Sequence, residues 1–371
     1  MAAKKKEEQV SVSPEGVLSS FLKEKKEDHY NFEESHDYKV PSSSLILTAA
    51  LGGGIGPGAH RFTGITSGGK TSAALNFMKN FLDMKSPNKC SRRGVYIKAE
   101  GRLSNEIKER SGIKFVYSAD EWVDGTCFVF ESNIYEAVFD LKRKLIVIPG
   151  LELFFITDST DGLIKRDDAK KSEEESQTVA GGSLIMTTFL RKVSIEMTKR
   201  GHIDIYISQL RDHVKINPYD TSPPRLGKAS GARALEHAGD VVLEFQPRYG
   251  GDLITNGGKK DKPIGHYCKC KILKTNNENY TEVRYPIKYG QVGGKSVWTS
   301  YEIADILLAW ELVTKNGAWY PINEGLRSEL IDKFPEIQIP EKFHGGEGIQ
   351  SFIESNEDLQ KYLFNKIVSV I

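Results

Sequence analysis

The stretch Gly64-Ile65-Thr66-Ser67-Gly68-Gly69-Lys70-Thr71 constrains this chain most, because it matches the spacing Gly-x4-Gly-Lys-Ser/Thr in full. Gly64, Gly68 and Gly69 let the backbone wrap and aim its N–H groups inward at phosphates. A helix starting near Lys70 adds the positive end of its dipole. Lys70 brings a point charge to the β- and γ-phosphates of a bound triphosphate, and the Thr71 hydroxyl is a hard oxygen suited to Mg²⁺. Ser72 continues the first helical turn. The flanks fit: a strand-like run, Arg61 to Ile65, comes before. A helix predicted over Thr71 to Met84 comes after, with Ala74, Leu75, Met78, Phe81 and Leu82 on one face.

Such a loop belongs between a strand and a helix, and the rest of the chain supplies more of both. Strands are predicted at Gly94–Ala99, Leu145–Ile148, Leu153–Asp158, Ile203–Gln209, Val241–Phe245 and His266–Leu273, with a second long helix at Leu184–Arg200. Alternating strands and helices imply a mostly parallel sheet covered on both faces. The glycine-rich run from Leu51 to Gly58 reads as a loop. Residues 1–40 are charge-rich, with a short amphipathic helix within Val10–Lys25 and an aromatic island at Tyr30 to Phe32. After about residue 290 the chain turns helical and aromatic, around Trp298, Tyr301, Trp310 and Trp319. The expected organisation is an N-terminal arm at 1–40, a core at 41–290 and a small C-terminal domain at 291–371, which suits a chain of 371 residues.

With 51 basic and 50 acidic side chains the net charge is +1, which excludes a polyanion binder that acts by bulk charge. Any nucleic-acid site must be a local patch. Residues 211–233 provide one: Arg211, Lys215, Arg225, Lys228 and Arg233 against Asp212 and Asp220 leave +3. Gly231 there permits close backbone approach. The segment 162–182 carries Lys165, Arg166, Lys170 and Lys171, then Glu173 to Glu175. The four cysteines, Cys90, Cys127, Cys268 and Cys270, form no Cys-x-x-Cys pair and read as buried reduced thiols. No apolar run approaches the ~18 residues of a membrane span, and the charged N-terminus has no apolar core behind it, so an intracellular protein is expected.

A second acidic motif completes the cation chemistry. Leu153 to Asp158 is an apolar strand ending in a carboxylate, which places Asp158 where it can hold the Mg²⁺ shell. Asp161 lies beyond the strand and competes less well.

The order of these motifs resembles the RecA/UvsX recombinases, and the bacteriophage UvsX-type branch in particular. The resemblance rests on Leu47 to Gly58 followed by Arg61 to Ser72, on Val95-Tyr-Ile-Lys-Ala-Glu100, on Ile156-Thr-Asp-Ser159, on Ile207-Ser-Gln-Leu-Arg211, on Ser230-Gly-Ala-Arg-Ala-Leu235, on Asn316-Gly-Ala-Trp-Tyr320 and on the lead-in Tyr30 to Ser44. It covers roughly residues 28 to 365. It implies a RecA-like α/β nucleotide-hydrolase core with an N-terminal arm and a small C-terminal α/β domain. The implied activity is DNA-dependent ATP hydrolysis with ATP and Mg²⁺, serving homologous pairing and strand exchange in recombination and repair. Implied partners are single-stranded DNA, homologous duplex DNA, further copies of the chain in a helical filament, and single-strand-binding and mediator proteins. No membrane is involved, and the implied setting is the bacterial cytoplasm, with the chain phage-encoded.

The resemblance also assigns roles. Glu100 would polarise the attacking water, and Gln209 would sense the γ-phosphate. Lys274 would reach the ATP held by a neighbouring subunit. Segments 162–182 and 211–233 would line the DNA groove, with Thr187 and Arg191 on the DNA backbone. Tyr30 and Phe32 would dock the arm on the next core. The chain departs from the family at several positions. Lys98 stands where relatives carry an acidic or neutral residue, and strand alternation would put it on the face of Glu100, close enough to pair. Asn276 replaces a second interface lysine, Ala232 a glycine, and Ile107 an aromatic that stacks on adenine. Two other functions use the same motifs: a RecA-core hexameric helicase, for which a large N-terminal domain is lacking, and a DNA-binding filament protein without hydrolysis.

Overall fold

A computed structural model describes residues 13–24, 36–101, 103–170, 181–212, 226–227, 232–255, 262–275 and 282–370. In chain order the helices are α1 (Pro14–Glu24), α2 (Leu45–Ala50), α3 (Lys70–Asp83), α4 (Asn105–Ser111), α5 (Tyr135–Ile146), α6 (Gly181–Lys199), α7 (Ala232–Ala238), α8 (Thr299–Ala309), α9 (Glu324–Lys333), α10 (Gly345–Ser355) and α11 (Glu357–Val370). The strands are β1 (Gly58–Gly64), β2 (Ser91–Lys98), β3 (Lys114–Val116), β4 (Thr126–Glu131), β5 (Leu151–Asp158), β6 (Ile203–Gln209), β7 (Arg211–Asp212), β8 (Leu226–Gly227), β9 (Val241–Phe245), β10 (Leu253–Ile254), β11 (Gly265–Lys274), β12 (Glu282–Lys288), β13 (Trp319–Pro321) and β14 (Lys342–His344).

Ten strands form one sheet in the order β10-β11-β9-β1-β6-β5-β2-β4-β3, with β12 pairing on β11. The seven strands from β9 to β3 run parallel, and β10, β11 and β12 extend the sheet antiparallel. Every residue of β1 is buried, as a central parallel strand between two layers of helix requires. Alternate residues of β5 feed opposite faces. Phe154 and Ile156 pack with Phe77, Met78 and Phe81 of α3. Leu153 and Phe155 pack with α5 and α6. A third cluster joins Leu45 of α2 to Ile303, Leu330, Ile353 and Leu363 of the C-terminal helices. The fold is therefore the expected α/β type, a large mostly parallel sheet between helices.

The predicted strand at Leu145–Ile148 is instead the last turn of α5 and the residues after it. Tyr135, Val138, Phe139, Lys142 and Ile146 form the helix's buried stripe, and a lysine in that stripe disguises its period. Lys142 is fully buried because Asp204 on β6 accepts from its amine at 2.7 Å, Thr157 does so at 2.9 Å, and the Tyr206 ring lies 4.4 Å away. Strands β3, β4 and β12 have no counterpart among the predicted ones. Predicted helix 10–25 is found as α1, and none of its residues is buried.

Glu152 at the start of β5 anchors the approach to the core. Its buried carboxylate accepts from Arg92 at 2.7 Å and from Asn88 at 3.0 Å, and it contacts His36 Nδ1 at 3.2 Å. The Arg92 guanidinium in turn sits 4.6 Å over the Tyr38 ring and 4.8 Å over Phe81. Of the four free cysteines three are buried and Cys90 is half-buried. Among the described residues no helix is long and apolar enough to cross a membrane.

The C-terminal helices are tied to the core by Glu302 on α8, which accepts from Ser44 Oγ and from the Leu45 amide, each at 2.7 Å. Burial pushes this carboxyl up to about 7, against those two bonds, which favour its ionised form. The native chain thus keeps the proton to higher pH than the unfolded chain does, and stability is lost as pH rises through that interval. A decline in thermal midpoint between about pH 5 and pH 7 is expected, and Glu302→Gln should flatten it. Thermal melts of both proteins across that range check this.

Candidate nucleotide site

The four strands that carry the predicted chemistry lie next to one another and end on the same edge of the sheet. Gly64 at the end of β1 is in register with Gln209 at the end of β6, and Lys98 on β2 with Asp158 on β5. Ligands of parallel α/β sheets bind outside such carboxyl ends.

From Gly64 the chain turns through residues 65–69 into α3. Gly64 has φ +143°, and a Cβ there would lie 2.3 Å from the Phe245 carbonyl oxygen. Gly69 has φ +106°, and its Cβ would lie 3.2 Å from Cys268 Sγ. The β9 backbone therefore excludes a side chain at Gly64, and at Gly69 the left-handed backbone, with β11 crowding it from below, favours glycine. Lys70 Nζ donates to the carbonyls of Gly64 at 2.9 Å and Ile65 at 2.6 Å, so the amine lies across its own loop. Burial lowers the Lys70 pKa, and the charges of Asp158, Asp161 and Glu100 act against that shift.

Asp158 Oδ2 accepts from Thr71 Oγ1 at 2.8 Å and from Tyr96 Oη at 2.7 Å. Burial raises the Asp158 pKa, the Tyr96 and Thr71 bonds lower it, and the Glu100 charge raises it. A hydroxyl and a carboxylate 2.8 Å apart fit adjacent corners of an octahedral Mg²⁺ shell, whose oxygens are separated by about 2.9 Å. Thr71 and Asp158 are thus suited to hold that ion, directly or through its water.

Glu100 follows β2. Its amide donates to the Asp158 carbonyl at 3.3 Å, and that of Ala99 to the same oxygen at 2.9 Å. Gln209 Nε2 donates to Glu100 Oε1 at 2.6 Å, which joins two of the predicted site residues. Lys98 does not pair with Glu100. Its amine donates to Glu131 on β4 at 2.8 Å, because parallel pairing sets Lys98 directly beside Glu131.

A cavity of about 530 Å³ opens beside the loop, within the usual range for small-molecule sites. Ser67 to Ser72 line one end, and Ile107, Arg110, Arg248 and Tyr289 are among the other lining residues. Arg110 Nη2 donates to Ser72 Oγ at 3.4 Å, and Arg248 Nη1 to Tyr289 Oη at 3.1 Å. Ile107 thus lines the cavity that its place in the sequence suggests.

Thr187 and Arg191 lie one turn apart on α6, Thr187 half-buried and Arg191 exposed. Arg211 lies on β7, which pairs with β8, and Arg233 lies on α7. Lys215, Arg225, Lys228, Gly231, Tyr30 and Phe32 fall outside the described residues. Lys274 donates to the α7 carbonyls of His237 at 3.0 Å and Glu236 at 3.4 Å, away from the loop cluster. Two residues of the site were not assigned to it from sequence. Tyr96 carries only the weak signal of a polar tip on an apolar strand. Asp161, weighed only as a metal ligand, accepts from the Gln209 amide at 2.7 Å instead.

No protein-family model matches the chain. The chain is similar to Protein RecA of Lactobacillus johnsonii, 26% identical over 353 residues, covering 89% of this chain and 87% of the relative. Protein RecA of Lactobacillus delbrueckii subsp. bulgaricus is 28% identical over 289 residues, 76% of each chain. Protein RecA of Streptococcus sanguinis is 26% identical over 315 residues, 80% of this chain and 73% of the relative.

Removing the Tyr96 hydroxyl should weaken the cation site without touching the loop. Tyr96→Phe removes a bond that favours ionised Asp158, so the Mg²⁺ concentration needed for nucleotide binding should rise about three- to tenfold. Titration of a fluorescent ATP analogue at stepped Mg²⁺ concentrations measures this, with Mg²⁺-free binding unchanged.

Proposed function

We propose that the chain is an ATP-dependent DNA recombinase, akin to the UvsX-type proteins, that forms filaments on single-stranded DNA and catalyses homologous pairing and strand exchange. The observation that carries this reading is the Gln209–Glu100 bond at 2.6 Å. Gln209 ends β6, and two residues later begins the cationic segment 211–233. One side chain therefore links the phosphate edge of the sheet to the segment read as DNA-binding. The similarity to proteins named RecA over most of the chain supports the same reading.

In this reading Gly64 to Ser72 wrap the triphosphate, Lys70 neutralises its β- and γ-phosphates, and Thr71 and Asp158 hold Mg²⁺, which offsets charge on the phosphates. Glu100 orients the attacking water and accepts its proton. Gln209, bonded to Glu100, responds when phosphate displaces that bond and transmits the change into 211–233. Arg211, Lys215, Arg225, Lys228 and Arg233 neutralise DNA phosphates, with Gly231 allowing close approach and Thr187 and Arg191 adding backbone contacts. Lys274 reaches the ATP of the next subunit, and Tyr30 and Phe32 of the arm dock on the adjacent core. Hydrolysis then depends on assembly. Single-strand-binding and mediator proteins load the filament in a phage-infected bacterial cytoplasm.

Glu100→Gln should bind ATP as wild type does and lose DNA-stimulated hydrolysis by about 10²-fold or more. Lys70→Ala should abolish nucleotide-dependent filaments. ATPase assays with and without single-stranded DNA, with electron microscopy of the same samples, test both. Unchanged turnover in Glu100→Gln, or normal filaments in Lys70→Ala, refutes the mechanism.

A further inference from the structure

The turn after β5 does more than lead into the segment 162–182, which carries charges of both signs. Thr160–Gly162 forms a single 3-10 turn seated on β6, where Thr160 Oγ1 donates to the Ile207 carbonyl at 3.2 Å. Tyr135 Oη donates to the Thr160 carbonyl at 3.4 Å. Both contacts are buried, so the turn is fixed from two sides. Asp161 on this turn accepts the Gln209 N–H at 2.7 Å.

That N–H needs an acceptor for a topological reason. The pairing of β5 with β6 ends at Thr157 and Tyr206, three residues short of Gln209. The next amide, Leu210, donates to Gly64 on the β1 side at 3.2 Å. Successive amides of a strand point to opposite neighbours, so Gln209 points to the side that β5 no longer covers. Asp161 fills that place with a carboxylate, a stronger acceptor than a carbonyl. Gly162 completes the contact, since a Cβ there would lie 2.9 Å from Glu100 Cβ and 3.0 Å from its Oε2. One rigid turn thus touches the Gln209 backbone and the Glu100 side chain together.

We infer that Asp161 is a positioning residue: by holding the Gln209 backbone amide it sets where the Gln209 side chain meets Glu100, and so couples hydrolysis to the segment that follows β6. The inference rests on the DNA-stimulated ATPase reading and names the residue that transmits the stimulation. It calls for an acceptor at position 161 and for no direct contact between Asp161 and the phosphates.

The test uses the full chain and steady-state ATPase kinetics with and without single-stranded DNA. Asp161→Ala should lower the ratio of DNA-stimulated to DNA-free kcat at least about tenfold, whatever its effect on the DNA-free rate. Asp161→Asn keeps an acceptor oxygen and should return DNA-stimulated kcat to within about threefold of wild type. Gly162→Ala provides an independent variant should Asp161→Ala fail to fold. Its Cβ presses on Glu100, and it should lower DNA-stimulated kcat with KM unchanged. A purely structural role would lower both kcat values together and follow the melting temperature. Full DNA stimulation in either alanine variant, or an Asn variant as impaired as the Ala variant, overturns the inference. Wild-type turnover indifferent to DNA overturns the ATPase reading itself, a result visible before any variant is made.

Discussion

A single oxygen, Asp158 Oδ2, receives the hydroxyls of Thr71 from α3 and Tyr96 from β2. The rest of the site is arranged around it. The bond to Thr71 fixes the first turn of α3 against the end of β5, and the bond to Tyr96 fixes β2 beside it. An acid in that position is poorly solvated, and burial raises its pKa although both hydroxyls favour its charge. Stability alone is poorly served by such a carboxylate. A divalent cation shared with Thr71 would reverse the balance, because its charge favours the ionised form and its shell uses both oxygens.

Glycine geometry and cation placement follow from the same crowding. The floor beneath the loop is the Phe245 backbone, which leaves no room for a side chain at Gly64, and Cys268 Sγ, which crowds Gly69, itself held at φ +106°. The Lys70 amine lies on the Gly64 and Ile65 carbonyls, where burial lowers its pKa and three carboxylates resist that shift. The cradle is therefore cationic at its centre and acidic at its rim, an arrangement that suits a phosphate chain accompanied by a divalent ion. Beyond the rim, Gln209 and Asp161 connect this chemistry to the end of β6 and to the chain that continues from it.

Legibility varied with how local the signal was. Strands β6 and β9 match their predicted bounds because each is a short apolar run between breaks. Helix α3 was readable from its apolar face. Helix α5 was not, since Lys142 stands in its buried stripe and is neutralised by Asp204, 62 residues away in the chain. Strand β3 has three residues, too few to show alternation. Lys98 shares a face with Glu100 by alternation alone, yet the neighbouring strand offers Glu131 in register and takes the pair.

The sequence by itself determined the pieces whose chemistry is contiguous: the glycine-wrapped loop, Lys70 and Thr71 on the first helical turn, and an acid at the end of an apolar strand. Within each piece covalent spacing fixes the local geometry, so no distant residue had to be known to read it. Only the tertiary structure decided which strand ends are neighbours, and with that the meeting of Tyr96 with Asp158, of Gln209 with Glu100, and of Asp161 with the Gln209 amide. Hydrophobic patterning tells a strand that it must be buried but not beside which strand. The order β9-β1-β6-β5-β2-β4 departs from chain order, because each parallel crossover must travel over a helix and chooses its landing place by packing.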